Sequence, residues 1–435
     1  MALGGGVFVT QNKKLPGAYI NFVSAASANA ALSDRGIATM PLELDWGPDG
    51  EVFEVTAEDF RRNSKEIFGY EYGNEKLKGL RDLFLNARTL YAYRLNGGGE
   101  KASNIYAEAL YSGERGNDLK IIIQKNVDND TLFDVTTVVD TTEVDTQTVL
   151  EASELMSNQY VTFKEDAVLA PTASTPLEGG KSKEVDGAAY QNYLDKIEGY
   201  TYNTMGVVVE DDTTKSLLVS FVKRMRDEMG IKFQLVLYNK AADYYGVINV
   251  KNSVVDVGWS EASLIYWVTG ISAGCEVSKS NQNKIYNGEF TVNADYTQNE
   301  LISAIDAGEF VLHKVGADIR VLSDINSMVT ISETQGDIFK ENQTVRVLDQ
   351  IANDIAVLFN TKFLGEIPNN VAGRISLWSD IVKHHEQLQE IGAIENFSDG
   401  DVTVEEGSTK KSVVVNDAIT VVNAMSKLYM TVAVA

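Results

Sequence analysis

The sequence predicts an α+β protein of several domains, with strands near both ends of the chain. Three observations predict this fold class. Helices and strands alternate at the start, a turn-rich segment with strand periodicity begins near residue 97, and continuous apolar strands separated by helices follow residue 181. With 435 residues, the chain is long enough for roughly two to four domains that each bury an apolar core.

Residues 25–96 are predicted to form a small α/β domain. Thr56 is followed three residues later by an acid, which is close to a capping box, and Phe60 and Ile67 share one face of the helix that starts there. Asn74 can cap a second helix, after which the alternation in TLYAYRL predicts a strand.

Residues 97–180 are predicted to form a β-sandwich, because short β-rich runs are separated by Gly, Asn and Asp turns. The stretch APTASTPLEGGKSKE then predicts a linker from its Pro, Ser, Thr and Gly content. Since glycine-rich joints stand at both ends, we expect this domain to be inserted and to protrude. Eight acidic and no basic residues lie between Lys125 and Lys164, which is typical of a solvated acidic face.

Residues 181–336 are predicted to form an α/β core around a buried, largely parallel sheet, because continuous apolar strands alternate with helices. Residues 337–411 are predicted to be a largely helical part with two long helices, the second of which covers residues 370–391.

Both ends of the chain carry predicted strands that polar spacers connect to the body. The N-terminal arm is residues 1–24 and the C-terminal arm is residues 412–435, with spacers at 11–15 and 398–411. An unprotected apolar strand invites pairing with another chain, so the arms are candidates for pairing with neighbouring subunits; the alternative is a strand of the chain's own sheet. The arm residues expected to pair are Val7, Phe8, Val9, Ala18, Tyr19, Ile20 and Phe22 at one end, and Leu428, Tyr429, Met430, Thr431, Val432 and Val434 at the other.

Charge and composition argue against several classes of function. The formal net charge of -24 argues against binding to nucleic acid or to an anionic membrane surface. Cys275 is the single cysteine and no Cys/His cluster exists, so neither an intramolecular disulfide nor a metal or cofactor is predicted. No apolar run approaches the roughly 20 residues that span a bilayer. Lys13, Lys14 and Pro16 interrupt any secretory signal, so we expect neither membrane insertion nor secretion.

No segment completes a phosphate-binding or metalloprotease motif. Gly180, Lys181 and Ser182 match the end of a phosphate-binding loop, but its first glycine is missing and the segment lies in the predicted linker. His385 and the following acid begin a zinc-protease pattern that lacks its second histidine, so His384 and His385 are interpreted as helix-surface residues.

The remaining candidates for catalysis have simpler interpretations. His313 lies in a predicted strand, and without a serine elbow it is interpreted as a core or edge histidine. Asp211 and Asp212 follow a strand, where acids can bind metals or substrates, but Thr213 comes next and helix capping explains them more simply.

Three stretches carry a resemblance to a known family: KLPGAYINFVSAA, RGIATMPLELDWGPDGEVFEVT and AITVVNAMSKLYMTVAVA. Together they resemble the tail sheath proteins of contractile-tailed bacteriophages and of phage-tail-like bacteriocins. The resemblance covers nearly the whole chain, and residues 35–48 are its most specific part.

The resemblance implies a small N-terminal domain, a protruding β-sandwich, a subtilisin-like α/β core without protease activity, and terminal strands exchanged between subunits. It implies a structural subunit that polymerises as stacked hexameric rings around an inner tube and contracts to drive that tube through a target cell envelope. The implied partners are further copies of the chain, the inner tail tube protein, and the baseplate and tail terminator proteins. The implied location is a virion tail or a released bacteriocin particle, assembled in the host cytoplasm.

The helix predicted at 370–391 is the candidate for the face toward the tube. Its candidate residues are Arg374, Lys383, His384 and His385. The alternative is an ordinary packing helix, whose apolar stripe would be Val371, Ile375, Trp378 and Ile381.

Two other functions stay open on the sequence alone. One is an α/β hydrolase-like enzyme in which the β-sandwich recognises the substrate, although the sequence offers no triad or metal set for it. The other is a different self-assembling surface protein, such as a subunit of a planar layer.

Overall fold

A computed structural model of the chain describes residues 32–434, so the candidate arm residues from Val7 to Phe22 lie outside the described residues. As predicted, the protein is a mixed α/β chain of several parts. It divides into two compact units. The peripheral unit comprises residues 39–81 and 88–198, and the central unit comprises residues 32–38, 82–87 and 199–434.

Among the described residues, the peripheral unit contains three α-helices and two main groups of hydrogen-bonded strands. Strands β1, β3 and β2 are neighbours in that order within a larger sheet, and β7-β6-β5-β9 is the order of a separate antiparallel sheet. The division between the units falls inside β1 and α2. The elements are β1 (Ile37–Leu42), β2 (Val52–Thr56), α1 (Ala57–Phe68), α2 (Lys78–Phe84), β3 (Thr89–Arg94), β4 (Ala107–Ala109), β5 (Leu119–Lys125), β6 (Phe133–Val139), β7 (Thr142–Val149), β8 (Val161–Phe163), β9 (Thr172–Pro176) and α3 (Gly187–Ile197).

Helix α1 begins as its sequence predicts. The Thr56 hydroxyl accepts a hydrogen bond from the backbone N–H of Asp59, and the Asp59 carboxylate accepts one from the N–H of Thr56, which completes a capping box. The helix ends at Gly69, whose φ of 79° is the left-handed conformation that favours glycine. Phe60 is fully buried on the inner face.

The prediction of a linker at residues 170–184 is wrong. Residues 172–176 form β9, which pairs antiparallel with β5 at the edge of the second sheet. Leu177 is completely buried, and its N–H donates to the carbonyl of Leu119 over 2.9 Å. The Ser, Thr and Pro residues suit an edge strand, because their side chains can face solvent and Pro is tolerated at an edge.

The central unit contains a parallel sheet with the strand order β13-β12-β11-β10, which confirms the predicted parallel arrangement. Helices α4 and α7 each continue into a π-helical turn, Arg224–Glu228 and Phe359–Phe363. The elements are β10 (Thr204–Gly206), α4 (Asp212–Lys223), β11 (Gln234–Tyr238), β12 (Val247–Val250), α5 (Ile265–Gly274), α6 (Gln298–Asp306), β13 (Glu309–Phe310), β14 (Leu312–Val315), β15 (Asp318–Val321), α7 (Asn342–Leu358), α8 (Val371–Glu390), β16 (Ile394–Glu395), β17 (Val402–Glu406), β18 (Val413–Asp417) and β19 (Thr420–Val421).

Two buried ion pairs connect helix α7 to the rest of the central unit. Asp349 of α7 binds the guanidinium of Arg226 through two contacts of 2.7 Å, and Arg346 of α7 binds the carboxylate of Asp324 at 2.6 Å. Both arginine side chains are about 1% exposed. Because a buried charge is costly without a partner, each pair fixes the position of α7.

The prediction of a polar spacer at residues 398–411 is also wrong. Residues 402–406 form β17, which pairs antiparallel with β18 of the same chain, and Val402 is 2% exposed against α8. Val402 and Val404 alternate with polar residues, so one face of the strand is apolar and packs on the helix. No helix among residues 32–434 is long and apolar enough to cross a membrane.

Candidate assembly interface

The end of the chain leaves the central unit as an exposed apolar segment. Its last anchor is the N–H of Ala424, which donates to the Gln343 side chain over 2.9 Å. Residues 425–434 have no regular secondary structure in the single chain. Their exposed large apolar side chains, each between 69% and 101% accessible, are Met425, Leu428, Tyr429, Met430, Val432 and Val434. Such a segment presents uncovered backbone donors and acceptors together with apolar side chains, which is what an added β-strand uses.

The β17–β18 hairpin lies close to the start of this segment in sequence and forms a sheet of its own. Its register pairs Val402 with Asp417 and Glu406 with Val413. Within the part of the chain that the structure describes, the two strands pair only with each other, so the outer edge of each is open. The indole N–H of Trp378 in α8 donates to the carbonyl of Val402 over 3.0 Å and fixes the hairpin to the helix.

We call two short segments the arm roots, because one lies close to the predicted N-terminal arm and the other is the first part of the predicted C-terminal arm. The N-terminal root is residues 32–37 and the C-terminal root is residues 413–421. At the N-terminal root, the N–H of Ser33 donates to the Asp354 carboxylate and the N–H of Leu32 donates to the Gln387 side chain, each over 3.3 Å. At the C-terminal root, β19 pairs with β16 directly after α8.

The two histidines of α8 are buried at these roots, so their interpretation as helix-surface residues is wrong. His384 is 1% exposed and His385 is not exposed. The His384 Nε2 lies 2.9 Å from an Asp354 carboxylate oxygen, and the His385 Nε2 lies 2.8 Å from an Asp417 carboxylate oxygen. Although burial by itself raises the pKa of Asp354, hydrogen bonds from His384, Ser33 and a neighbouring glutamine lower it below its usual value.

The four candidate residues for the face toward the tube therefore do not share one exposed surface. Lys383 is exposed, whereas Arg374 is partly buried and donates to the Asn369 side chain over 2.9 Å. The proposed apolar stripe of α8 also divides, because Ile381 is buried but Val371 and Ile375 are 66% and 58% exposed. The helical spacing of Leu377, Ile381, His384, His385 and Leu388 is the signal that identifies the buried face.

An open groove lies beside the exposed flank of α8. Its volume is about 530 Å³, and its lining includes the apolar side chains of Phe359, Phe363 and Ile367. Lys410, Lys411 and Arg374 supply positive charge at the groove. Glu366 in the lining and Glu406, whose carboxylate lies 3.9 Å from the Arg374 guanidinium, offset part of that charge. The arrangement suits an apolar partner surface that carries carboxylates.

The candidate catalytic residues have structural partners instead. The Asp211 carboxylate caps α4 by accepting the N–H of Thr214 over 2.7 Å, as its sequence predicts. His313 is half-buried in the β14–β15 hairpin, where burial lowers its pKa. The N–H of Gly180 donates to the side chain of Asn117, so it is not free to bind a phosphate. Among residues 32–434, no group of three or more His, Cys, Asp or Glu side chains has the geometry to hold a metal ion.

Comparisons with known proteins agree along almost the whole chain. The phage tail sheath protein central domain matches residues 183–327, and the phage tail sheath C-terminal domain matches residues 334–435. The phage tail sheath protein beta-sandwich domain matches residues 89–183, and the tail sheath protein Gp18 domain III N-terminal region matches residues 35–95.

Similar proteins cover the full length. The phage-like element PBSX protein XkdK of Bacillus subtilis is 32% identical over 468 residues, which cover 99% of this chain and 100% of that protein. The crystal structure of the sheath tail protein of Desulfitobacterium hafniense has a TM-score of 0.82 at 36% identity and covers 95% of this chain and 99% of its own. The helical sheath of the anti-feeding prophage in its contracted state shares the fold, with a TM-score of 0.58 at 12% identity over 97% of this chain and 99% of that one. The chain therefore belongs to the phage tail sheath protein family.

Proposed function

We propose that this chain polymerises as stacked hexameric rings around an inner tail tube, and that contraction of the polymer drives the tube through the envelope of a target cell. The observation that carries the proposal is the exposed apolar segment 425–434, next to a hairpin whose outer edges are open. Its role is structural rather than catalytic, in keeping with its family. The sheath belongs to a virion tail or a bacteriocin particle, is assembled in the host cytoplasm, and meets baseplate and terminator proteins at its ends.

Strand exchange through the arms links the subunits. The C-terminal segment 425–434, and the N-terminal arm with it, adds strands to the open edges of the β17–β18 hairpin of neighbouring copies. Each backbone hydrogen bond contributes only about 1 kcal/mol net, so a joint needs several in register together with burial of the apolar side chains. Such joints hold while the bodies move, because pairing depends on the backbone and not on the relative position of the bodies.

Residues 181–336 serve as a subtilisin-like core without protease activity. The parallel order β13-β12-β11-β10 with helices between the strands supports this interpretation. The use of Asp211 as a helix cap and the position of His313 in a hairpin agree with a core that has no triad.

The exposed flank of α8 and the groove beside it contact the inner tube. Val371 and Ile375 supply apolar surface, and Arg374, Lys410 and Lys411 supply positive charge. These residues replace the set predicted from the sequence, because His384 and His385 are buried and cannot contact another protein unless the surrounding structure opens locally. The matching surface on the tube is expected to be acidic and partly apolar.

Negative-stain electron microscopy of the purified chain at high concentration tests the assembly. The full-length protein is expected to form hollow striated tubes without nucleotide or metal. Met430→Asp combined with Val432→Asp should abolish the tubes, because the pairing segment would bury two charges. Val127→Asp is the matched control, since Val127 is 97% exposed and lies outside the arm roots. Tubes formed by the double variant would refute the role of segment 425–434.

A further inference from the structure

Adjacent histidines of α8 each hold a different arm root. Through Asp354 of α7, His384 is connected to the N–H of Ser33 in the N-terminal root. His385 contacts Asp417, the last residue of β18, in the C-terminal root. The two imidazoles also contact each other, with their Nδ1 atoms 3.4 Å apart. One dipeptide of α8 therefore lies between the connections of both arms to the body.

The hydrogen-bond partners of His385 define its protonation state. Its Nδ1 lies 3.0 Å from the carbonyl oxygen of Ile381, which can only accept a hydrogen bond. Its Nε2 lies 2.8 Å from a carboxylate oxygen of Asp417, which also only accepts when it is ionised. Both ring nitrogens therefore face acceptors, and an imidazolium paired with Asp417 is the form of the ring that donates to both.

The partners of His384 define the other form. Its Nε2 donates to the Asp354 carboxylate, and its Nδ1 faces the protonated Nδ1 of His385. A neutral imidazole with its proton on Nε2 satisfies both contacts, because its Nδ1 can then accept. Asp354 also accepts from the Gln350 side chain, which in turn donates to the carbonyl of Ser33. Among residues 32–434, Asp354 and Asp417 are the charged groups within hydrogen-bond distance of the pair.

We propose that His384 and His385 are positioning residues that hold both arm roots on α8, and that His385 does so as a buried imidazolium. The positions of the roots follow from contacts within one chain; only their importance for assembly depends on the proposed function. A neutral ring would leave one of the two acceptors around His385 without a donor, so docking of the C-terminal root depends on the paired charge.

Nitrogen-15 NMR of the histidine rings in the full-length chain, kept unpolymerised, tests the protonation state. The chain has only three histidines, and single variants at each position assign the signals. At neutral pH, both nitrogens of His385 are expected to be protonated, whereas His384 is expected to carry its proton on Nε2. His313, which is half-buried in a different hairpin, is the internal reference. A neutral His385 at neutral pH would overturn the proposal.

Hydrogen exchange of residues 413–421 tests the positioning role. Asp417→Asn keeps an oxygen that can accept a hydrogen bond from His385 but removes the negative charge. A contact that depends on the hydrogen bond alone would therefore persist in this variant. We expect exchange of the C-terminal root to rise about tenfold in this variant, because the charge of the pair is lost. Glu405→Gln removes a carboxylate from an exposed position of the same hairpin and should leave this exchange rate unchanged.

The two proposals fail in different ways. If Asp417→Asn exchanges like the unchanged chain, positioning of the root by a charged His385 is refuted, whether or not the protein forms tubes. If the root loosens as expected but the unchanged protein never forms tubes with its tube and baseplate partners present, the proposed sheath assembly is refuted and the assignment of His385 stands.

Discussion

Replacing Asp349 by Asn removes the carboxylate that neutralises the buried guanidinium of Arg226. The pair has two contacts of 2.7 Å, and the two side chains are 1% and 9% exposed. Burial by itself lowers the pKa of Arg226, but the charge and hydrogen bonds of Asp349 raise it above its usual value. Because arginine is effectively always protonated in proteins, the guanidinium stays charged in the variant, and it keeps its hydrogen bond to the carbonyl of Phe233.

We expect Asp349→Asn to lower the free energy of unfolding of the central unit by about 3–5 kcal/mol, because a buried charge loses its partner. That is a large fraction of the roughly 5–15 kcal/mol that folded proteins have. The assay is urea denaturation of the unpolymerised chain, followed by hydrogen exchange in α4 and α7 so that the peripheral unit does not contribute. Glu58→Ala is the control, because it removes an exposed ion pair with Arg62 and should cost at most about 0.5 kcal/mol.

A double variant separates loss of the pair from loss of packing. Arg226→Met with Asp349→Leu replaces the ion pair by apolar groups, and it should be more stable than Asp349→Asn alone, because no uncompensated charge is buried. A cost below about 1 kcal/mol for Asp349→Asn would refute the reasoning. It would mean that water or a rearranged side chain reaches Arg226.

Three further predictions concern the same fold. Gly206→Ala should cost about 1–3 kcal/mol in urea denaturation, since the new Cβ would lie 2.0 Å from the Thr269 hydroxyl, and Thr269→Ala should restore part of the loss. Gly187→Ala, in the first turn of α3 with no atom within 4 Å of the new Cβ, should raise the free energy of unfolding by up to about 1 kcal/mol. Burial by itself raises the pKa of Asp324, but the charge and hydrogen bond of Arg346 lower it by more. The resulting pKa lies below its usual value. In the unfolded chain, the Asp324 carboxyl therefore binds a proton at a higher pH than in the folded protein. The stability that this carboxylate contributes is complete above about pH 4 and should decrease as the pH falls below that value. Thermal melting from about pH 6 to about pH 2 measures the decrease.

Local sequence signals predicted the elements whose ends depend on nearby residues. The capping box at Thr56 and the cap at Asp211 are confirmed, because each needs only a side chain and a backbone N–H three residues away. The parallel sheet was predictable for a similar reason, since strands buried on both faces have continuous apolar runs.

The errors come from contacts between residues far apart in sequence. Residues 172–176 have the composition of a linker, and only their pairing with β5 makes them a strand. His384 and His385 are polar by type, yet they are buried because Asp354 and Asp417, from other elements, provide partners for their ring nitrogens. A buried histidine needs a hydrogen-bond partner, but the sequence alone does not show which carboxylate the fold places beside it.

The position of both arm roots on one helix has a mechanical consequence for the proposed sheath. Asp354 connects the N-terminal root to α8 through His384, and Asp417 connects the C-terminal root to the next residue of the same helix. Because α8 is a continuous helix of 20 residues, a pull on either arm acts on the same rigid element, whose exposed flank is the proposed tube contact. A subunit that is rotated by its neighbours would then move its tube-facing flank together with both arms. Such coupling requires no hinge inside the C-terminal part. Loosening either root by Asp354→Asn or Asp417→Asn should weaken the coupling between the arms and α8, while the exposed flank of α8 stays unchanged.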